Sequence, residues 1–165
     1  MKKLIFASLI VLGSNLYSTA QVNAHAIGVR LESHFTSSGA EFTYQHGFGN
    51  ANRLELDAGG SGGLNYINGA VTGSFHWVNN IFEGFNWFLG PAAQISFYNY
   101  SNYNGTITNN AGIAFGLGAQ GGVEYDINVH GFPFIFSVDA RPLFNINEPT
   151  RVFGVSGAVS ARYTF

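Results

Sequence analysis

Most charged residues of this chain lie in short segments where polar and apolar residues alternate, and within each segment they occupy the polar positions. Arginines and carboxylates grouped on one face in this way could carry a function. On one face of a sheet they would form ion pairs that fill an interior, or they would line a constriction that conducts ions. A rough alignment of two hairpins, centred near residues 36 and 49, brings Arg30, Glu41 and Asp57 close together. The charged residues on this parity are Arg30, Glu32, Glu41, Arg53, Glu55, Asp57, Glu124, Asp126, Asp139, Arg141 and Arg162.

One histidine has neighbours that could support nucleophilic catalysis. His34 lies beside Glu32, Ser33 and Ser37, and a histidine base can activate a nearby hydroxyl group as a nucleophile. This set is the starting point for an enzymatic alternative.

The other histidines do not form a recognisable metal-binding pattern. His46, His76 and His130 fall near one end of the predicted strands, but they belong to different hairpins, and no H-x-x-x-H spacing occurs. We expect them to pack like aromatic side chains at a polar interface. The sequence therefore predicts no metal site, no catalytic residues and no cofactor.

Eight segments of alternating apolar and polar residues must position these side chains. Gly, Asn and Ser separate the segments, and no helical periodicity of comparable length occurs. The predicted strands run near 26–33, 38–47, 52–60, 65–77, 84–97, 111–126, 132–142 and 151–165. Transmembrane strands need about 9–11 residues, so most of these segments are long enough to span a membrane.

The two faces of these strands differ in a way that favours a membrane barrel over a soluble sandwich. The strands of a soluble β-sandwich also alternate apolar and polar residues, but their polar faces meet water and would be rich in Lys, Glu and Thr. Here the polar parity carries mostly small or amide side chains with few charges, which suits the narrow interior of an eight-stranded barrel. The last strand is an example, with Gly154, Ser156, Ala158, Ser160, Arg162 and Thr164 on that parity. The predicted fold is therefore all-β, a single antiparallel up-and-down transmembrane barrel of eight strands.

Composition agrees with this fold. The 165 residues are only 10% charged and 16% aromatic and include 22 glycines, whereas soluble domains are about 25% charged. No apolar run approaches the roughly 20 residues of a transmembrane helix. The net charge of −2 gives no basic face for nucleic acid, and the absence of cysteine excludes disulfides, thiol catalysis and Cys-ligated zinc.

The N-terminus has the pattern of an export signal. Lys2 and Lys3 precede an apolar core at Leu4–Leu12, and Ser18–Ala20 offers a small-residue cleavage site. We place the cut after Ala20, which makes residues 1–20 a signal peptide and 21–165 the barrel.

The aromatic residues and the connections predict an orientation. If the chain starts on the periplasmic side, Tyr44, Trp77, Trp87 and Tyr125 fall at one membrane edge, where aromatic rings gather. Tyr98 and Phe153 fall at the other. Short turns near 47–52, 78–84 and 127–131 then alternate with outer connections, of which 98–110 and 142–151 are the longest. Pro91 interrupts the fifth strand, and a bulge after Gly90 is expected to absorb it.

The interior admits more than one interpretation. Charged chains that interlock would close the lumen, and we favour this interpretation because eight strands leave little room. An excess of acids over arginines would instead make an open lumen a narrow, cation-preferring pore. Strands four to six contribute small residues such as Ala92, Ala114 and Gly116, so a pocket or thin water path could lie against them. The predicted lumenal network comprises Arg30, Glu32, Glu41, Arg53, Glu55, Asp57, Glu124, Asp139, Arg141 and Arg162.

Three segments carry a resemblance to a known family: Gly121–Tyr125, Phe134–Pro142 and Ala161–Phe165. They resemble the small outer-membrane β-barrel proteins of Gram-negative bacteria, in the size class of OmpX and OmpW, and in particular the barrels common in Bacteroidetes. The resemblance implies a multi-pass outer-membrane protein in contact with lipid and lipopolysaccharide. It also implies that Tyr163 and Phe165 form the terminal signal read by the barrel-assembly machinery.

The family includes adhesins, narrow pores, structural proteins and lipid-modifying enzymes, so the resemblance does not select an activity. We predict a non-enzymatic barrel with a charge-plugged lumen and a structural or surface-contact role, whose surface partner the sequence does not identify. The alternatives are the porin-like cation-preferring pore and a lipid-A-modifying hydrolase. The hydrolase would use His34, although this sequence lacks the His-x-Ser spacing of those enzymes.

Overall fold

The protein forms a closed barrel of eight antiparallel strands, as predicted. The computed structural model describes residues 22–34, 37–49, 51–63, 66–100, 110–147 and 152–165. The predicted signal peptide, most of the predicted outer connection 98–110 and residues 148–151 of the predicted connection 142–151 lie outside these residues. The strands are β1 (His25–Ser33), β2 (Ser38–Phe48), β3 (Asn52–Gly63), β4 (Tyr66–Phe82), β5 (Phe85–Tyr100), β6 (Asn110–Asp126), β7 (Phe134–Ile146) and β8 (Phe153–Thr164).

Each strand pairs with its neighbours in chain order, and β1 closes the barrel by pairing with β8. Ala26 lies opposite Thr164 in this closing pair, and Ser33 lies opposite Gly157. The barrel therefore has no free strand edge. We call the end where β1 begins and β8 ends the terminal end, and the opposite end the loop end.

Three glycines with left-handed backbone make the short connections at the terminal end. Gly49, Gly84 and Gly131 have φ angles of 65°, 78° and 82°, a region that glycine adopts without steric cost. Before Gly131 the chain forms a short 3-10 helix (Ile127–His130), capped by the Asp126 side chain, which accepts a hydrogen bond from the Asn128 backbone amide.

Several strands are longer than the sequence predicts. The tight turn predicted near 78–84 is present but shorter than expected, because β4 continues to Phe82 and only Glu83 and Gly84 connect it to β5. β3, β5 and β7 also extend at the loop end beyond the predicted limits. Their ends are rich in Gly and Asn, which disfavour strands by propensity, but pairing with neighbouring strands of the closed barrel supplies hydrogen bonds there.

Pro91 does not create the expected bulge. Gly90 and Pro91 have no partners on β4, yet the register of β4 and β5 is the same on both sides of this gap. Pro91 still pairs with Ala119 on β6, so its missing N–H donor affects only one side. The strands stay in register because Gly90 permits a very close approach of β4: a Cβ there would lie 1.6 Å from the Phe75 carbonyl oxygen.

A second interruption lies between β6 and β7 at the same level. Ala119 and Gln120 have no partners on β7, where they would face Pro142 and Arg141, and the register again continues unchanged. Pro142 pairs normally with Val155 on β8. Both prolines therefore lose pairing on one side only.

The distribution of side chains is the inverse of that in a water-soluble barrel. Outward positions are apolar and exposed, as for Phe42 (75% exposed), while the buried positions are mostly polar or charged. The alternation predicted from the sequence is thus the alternation of the barrel wall. No helix among the described residues is long and apolar enough to cross a membrane.

Candidate functional site

Four buried arginines point into the interior of the barrel. Arg30 on β1, Arg53 on β3, Arg141 on β7 and Arg162 on β8 are each no more than 1% exposed. A buried guanidinium group is stable only when carboxylates and other acceptors surround it. The carboxylates of the predicted network meet this need, and the contacts divide into a group toward the loop end and a group toward the terminal end.

Arg30 is the centre of the first group. Its Nη1 atom lies 2.6 Å from Glu41 Oε2 and 3.2 Å from Glu32 Oε2, and its Nη2 atom lies 2.7 Å from Asp139 Oδ1. Arg30 and Glu41 are directly opposite in the β1·β2 register. The pairing of these two residues expected from the hairpin alignment is therefore present.

Arg141 links this group to the opposite wall. It forms an ion pair with Asp57 on β3, and its Nη1 atom lies 3.3 Å from Glu41 Oε2. It also donates to Gln120 Oε1 and Thr72 Oγ1. Asp57 thus joins Arg30 and Glu41 through Arg141, and the Arg141 side chain occupies space beside the small residues of strands β4 to β6.

The second group lies toward the terminal end. Arg162 Nη2 is 2.9 Å from Glu55 Oε2, and Gln45 and Gln120 donate hydrogen bonds to the same carboxylate. Gln120 therefore contacts both groups, since it accepts from Arg141 and donates to Glu55. Across the lumen, Arg53 and Glu124 form an ion pair in which Nη1 and Oε2 are 2.6 Å apart.

An apolar and aromatic cluster lies in the lumen toward the terminal end, and sequence analysis missed it. Phe88 and Val78 point into the lumen and are 1% exposed, with Val22 packed against them. The Arg53 guanidinium carbon lies 4.7 Å from the centre of the Phe88 ring, which is cation–π geometry. Phe88 is two residues from the lumen-facing Asn86 and so lies on the same face of β5. Strict alternation through β5 was therefore the signal that could have identified Phe88 as a lumenal residue.

Two small cavities lie in the lumen among the described residues. A cavity at the loop end, lined in part by Glu32, His34 and Arg141, has about 30 Å³ for water-sized molecules, and one at the terminal end has about 10 Å³. One water needs about 10–15 Å³ by this measure. Two buried atoms without a partner among the described residues, Asn68 Oδ1 and Arg53 Nη2, belong to residues that line these two cavities, and such waters would satisfy them.

The histidine set at the loop end is only partly assembled. His34 Nε2 lies 3.4 Å from Glu32 Oε1, so the imidazole has a carboxylate partner. Ser33 Oγ instead donates to the His34 carbonyl oxygen, and Ser37 Oγ is buried with no hydrogen bond inside the described part of the chain. Within those residues, no hydroxyl is hydrogen-bonded to the His34 ring.

The other four histidines lie in three separate settings. His76 is buried in the lumen against Phe88, with ring centres 4.7 Å apart. His130 Nε2 is 2.8 Å from the Tyr125 hydroxyl, and His46 lies beside His25. Across the described ranges, no group of three or more His, Cys, Asp or Glu residues is arranged to hold a metal ion.

The predicted interface aromatics lie on the outward parity toward the terminal end. Trp77 is exposed, and Tyr44, Trp87 and Tyr125 are half-buried between outward neighbours. The terminal Tyr163 and Phe165 side chains are also exposed. All six stand on the apolar surface of the wall.

Tyr98 does not belong to the outer aromatic ring predicted for it. It is 8% exposed and points inward, and its hydroxyl donates to the Asn147 carbonyl oxygen at 3.3 Å. Strand β5 reaches Tyr100, so the even positions of the strand continue to face the lumen at Tyr98. The prediction was wrong because it ended this strand at residue 97.

Comparisons with known proteins identify the fold only. No protein-family model matches the sequence, and a search of curated proteins finds no relative. Among solved structures, Neisserial surface protein A is similar, with a TM-score of 0.65 and 12% identity over 86% of this chain and 95% of that one. The N-terminal β-barrel domain of Pseudomonas aeruginosa OprF has a TM-score of 0.62 and 12% identity, over 87% of this chain and 98% of that one. The attachment invasion locus protein Ail of Yersinia pestis has a TM-score of 0.51 and 12% identity, over 86% of this chain and 96% of that one.

Proposed function

We propose that this protein is an integral outer-membrane barrel whose lumen is closed by ion pairs, and that its role is structural or in surface contact. The observation that carries the proposal is the arrangement of the wall, with apolar side chains outside and interlocked arginines and carboxylates inside. In this proposal residues 1–20 are the export signal, and the terminal end faces the periplasm.

The outward surface supports a position in a membrane. A lipid-facing charge costs about 2–4 kcal/mol at mid-bilayer, and the Arg, Asp and Glu residues within the described strands lie on the lumenal parity. One structural neighbour, Ail, has been solved as an outer membrane protein in a phospholipid bilayer nanodisc. Lipid and lipopolysaccharide are the partners that this surface fits.

The lumen supports a closed rather than a conducting barrel. Arg141 reaches from β7 to Asp57 on β3, and Arg53 reaches from β3 to Glu124 on β6, so side chains cross the interior at two levels. The cavity at the loop end has room for about two or three waters, and the cavity at the terminal end for about one. An ion crossing the barrel would have to break at least one of these buried ion pairs.

The loop end gives little support to the hydrolase alternative. Acyl hydrolysis needs a hydroxyl within hydrogen-bond reach of its base. His34 has Glu32 as a partner but, in the part of the chain that the structure describes, no such hydroxyl. We therefore propose a non-enzymatic protein.

Conductance of the refolded barrel in a planar bilayer tests the proposal. A heat-shift gel first establishes that residues 21–165 have folded. Folded protein that passes no steady current supports the closed lumen. Steady cation-preferring openings would contradict it and identify the protein as a narrow pore.

A further inference from the structure

Two histidines face each other on the outward side of the wall at the terminal end. His25 begins β1 and lies directly opposite His46 on β2, and both are half-buried. Their Nδ1 atoms are 3.3 Å apart, and the Tyr44 hydroxyl lies 2.8 Å from His25 Nδ1. Two further atoms able to donate a lone pair to a metal ion therefore lie within 3.3 Å of His25 Nδ1.

Protons can satisfy only one of the two close contacts of His25 Nδ1 with in-plane geometry. A neutral imidazole Nδ1 either carries one hydrogen or offers one lone pair. His25 Nδ1 can therefore make one good in-plane hydrogen bond, yet two polar atoms approach it. A cation that accepts a lone pair from each imidazole would remove the conflict between the two nitrogens.

The separation of the two nitrogens matches a tetrahedral metal site. Zinc–nitrogen bonds are about 2.0–2.1 Å long, and two such bonds at the tetrahedral angle place the nitrogens about 3.3–3.4 Å apart. Imidazole ligands suit zinc, copper and nickel. We infer that His25 and His46 form a surface site for a divalent first-row transition metal such as Zn²⁺, with the Tyr44 hydroxyl and solvent available for the remaining positions.

Aromatic neighbours hold the two rings in place. Phe165 stacks on His25 with ring centres 5.4 Å apart, and Phe48 contacts His46 edge-on at 4.7 Å. These contacts fix the rings without competing for the metal, because phenylalanine has no ligand atom. The site therefore lies beside the β1·β8 seam, where the Phe165 amide donates to the His25 carbonyl oxygen.

Isothermal titration of Zn²⁺ into the refolded barrel, in zinc-free detergent buffer, tests the site. We expect saturable binding of one ion per chain. Loss of an outer-shell partner weakens metal sites by about 10–100-fold, so loss of a ligand in His25→Ala or His46→Ala should weaken binding at least about tenfold. His130→Ala is the matched control, since His130 also lies at the terminal end beside a tyrosine, and it should leave binding unchanged.

Electron paramagnetic resonance with Cu²⁺ gives a second measurement on the same proteins. The wild-type spectrum should show coupling to two nitrogens, and the His46→Ala spectrum to one. A heat-shift gel run on every variant separates loss of the ligand from loss of the fold. The inference is overturned if the folded wild type shows no saturable Zn²⁺ binding, or if His25→Ala and His46→Ala bind as the wild type does.

Discussion

Arg53 on β3 and Glu124 on β6 meet across the lumen, with Nη1 and Oε2 only 2.6 Å apart. Asn86 donates a further hydrogen bond to Glu124, and Phe88 packs over the guanidinium. The pair joins strands that are not neighbours in the wall, so its contribution to stability is separate from that of strand pairing.

Removing one partner of this pair should destabilise the barrel strongly. Arg53→Met leaves the Glu124 carboxylate buried without its cation, which costs about 3–5 kcal/mol in comparable cases. The double variant Arg53→Met/Glu124→Leu should recover most of that loss, because an apolar pair can replace a buried ion pair at little cost. Urea unfolding in lipid vesicles, followed by tryptophan fluorescence, measures both. A double variant no more stable than Arg53→Met would contradict this account.

Arg141 should be the residue whose loss opens the lumen. Its side chain contacts Asp57, Glu41, Gln120 and Thr72, and Arg141→Ala removes this arm and leaves acidic groups in excess. We expect cation-preferring current from the variant where the wild type is silent. The outward substitution Phe136→Ala is the control and should remain silent. If folded Arg141→Ala also passes no current, the other side chains close the barrel without it.

The outward surface can be tested with a single charge at two depths. Val29 lies at the middle of β1 and is exposed, whereas Phe48 ends β2 at the terminal end. Val29→Arg should cost about 2–4 kcal/mol of unfolding free energy in vesicles, and Phe48→Arg about 0–1 kcal/mol. Equal costs at the two positions would argue against a bilayer around this wall.

Gly90 should tolerate no side chain. An alanine Cβ there would overlap the Phe75 carbonyl oxygen, whereas a Cβ at the outward Gly157 would meet no atom within 4 Å. We expect Gly90→Ala to destabilise by at least about 1–3 kcal/mol, the usual cost of overpacking. Gly157→Ala should stay within about 0.5 kcal/mol of the wild type. Comparable urea midpoints for the two variants would show that β4 moves away without penalty.

Deletion of Phe165 should impair assembly of the barrel in cells more than its refolding in vitro. It is exposed on the wall and stacks on His25, so its deletion removes few contacts of the folded barrel. If the terminal aromatic is an assembly signal, deletion should reduce the heat-modifiable protein in outer-membrane fractions while in vitro refolding proceeds. Unchanged assembly in cells would count against that role.

The alternation of side chains made the wall predictable from the sequence, because the period of two is the same in every strand. The lumenal parity of Arg30, Arg53, Arg141 and Arg162 followed from it. The partners of these arginines across the lumen did not, since contacts such as Arg53 with Glu124 depend on the stagger of strands that are not neighbours. That stagger is set only when β1 pairs with β8.

Small errors in register and strand length account for what the sequence analysis missed. Centring the first hairpin at residue 36 places His46 opposite Ala26, whereas the structure pairs it with His25, and this shift hid the two-histidine site. Ending β5 at residue 97 placed Tyr98 on the wrong side of the wall. Glycine- and asparagine-rich strand ends resemble loops by propensity, and only the closed sheet shows that they pair.

The two proline interruptions give the barrel an uneven mechanical stiffness. Gly90 and Pro91 have no partners on β4, and Ala119 and Gln120 have none on β7, while β5 and β6 remain fully paired between them. The β5·β6 pair is therefore flanked on each side, at the same height in the barrel, by a short stretch without pairing to the next strand. Under lateral pressure the cross-section should become elliptical by flexing along these two stretches, and backbone amides beside them should exchange with solvent deuterium before those of the β1·β2 and β2·β3 ladders.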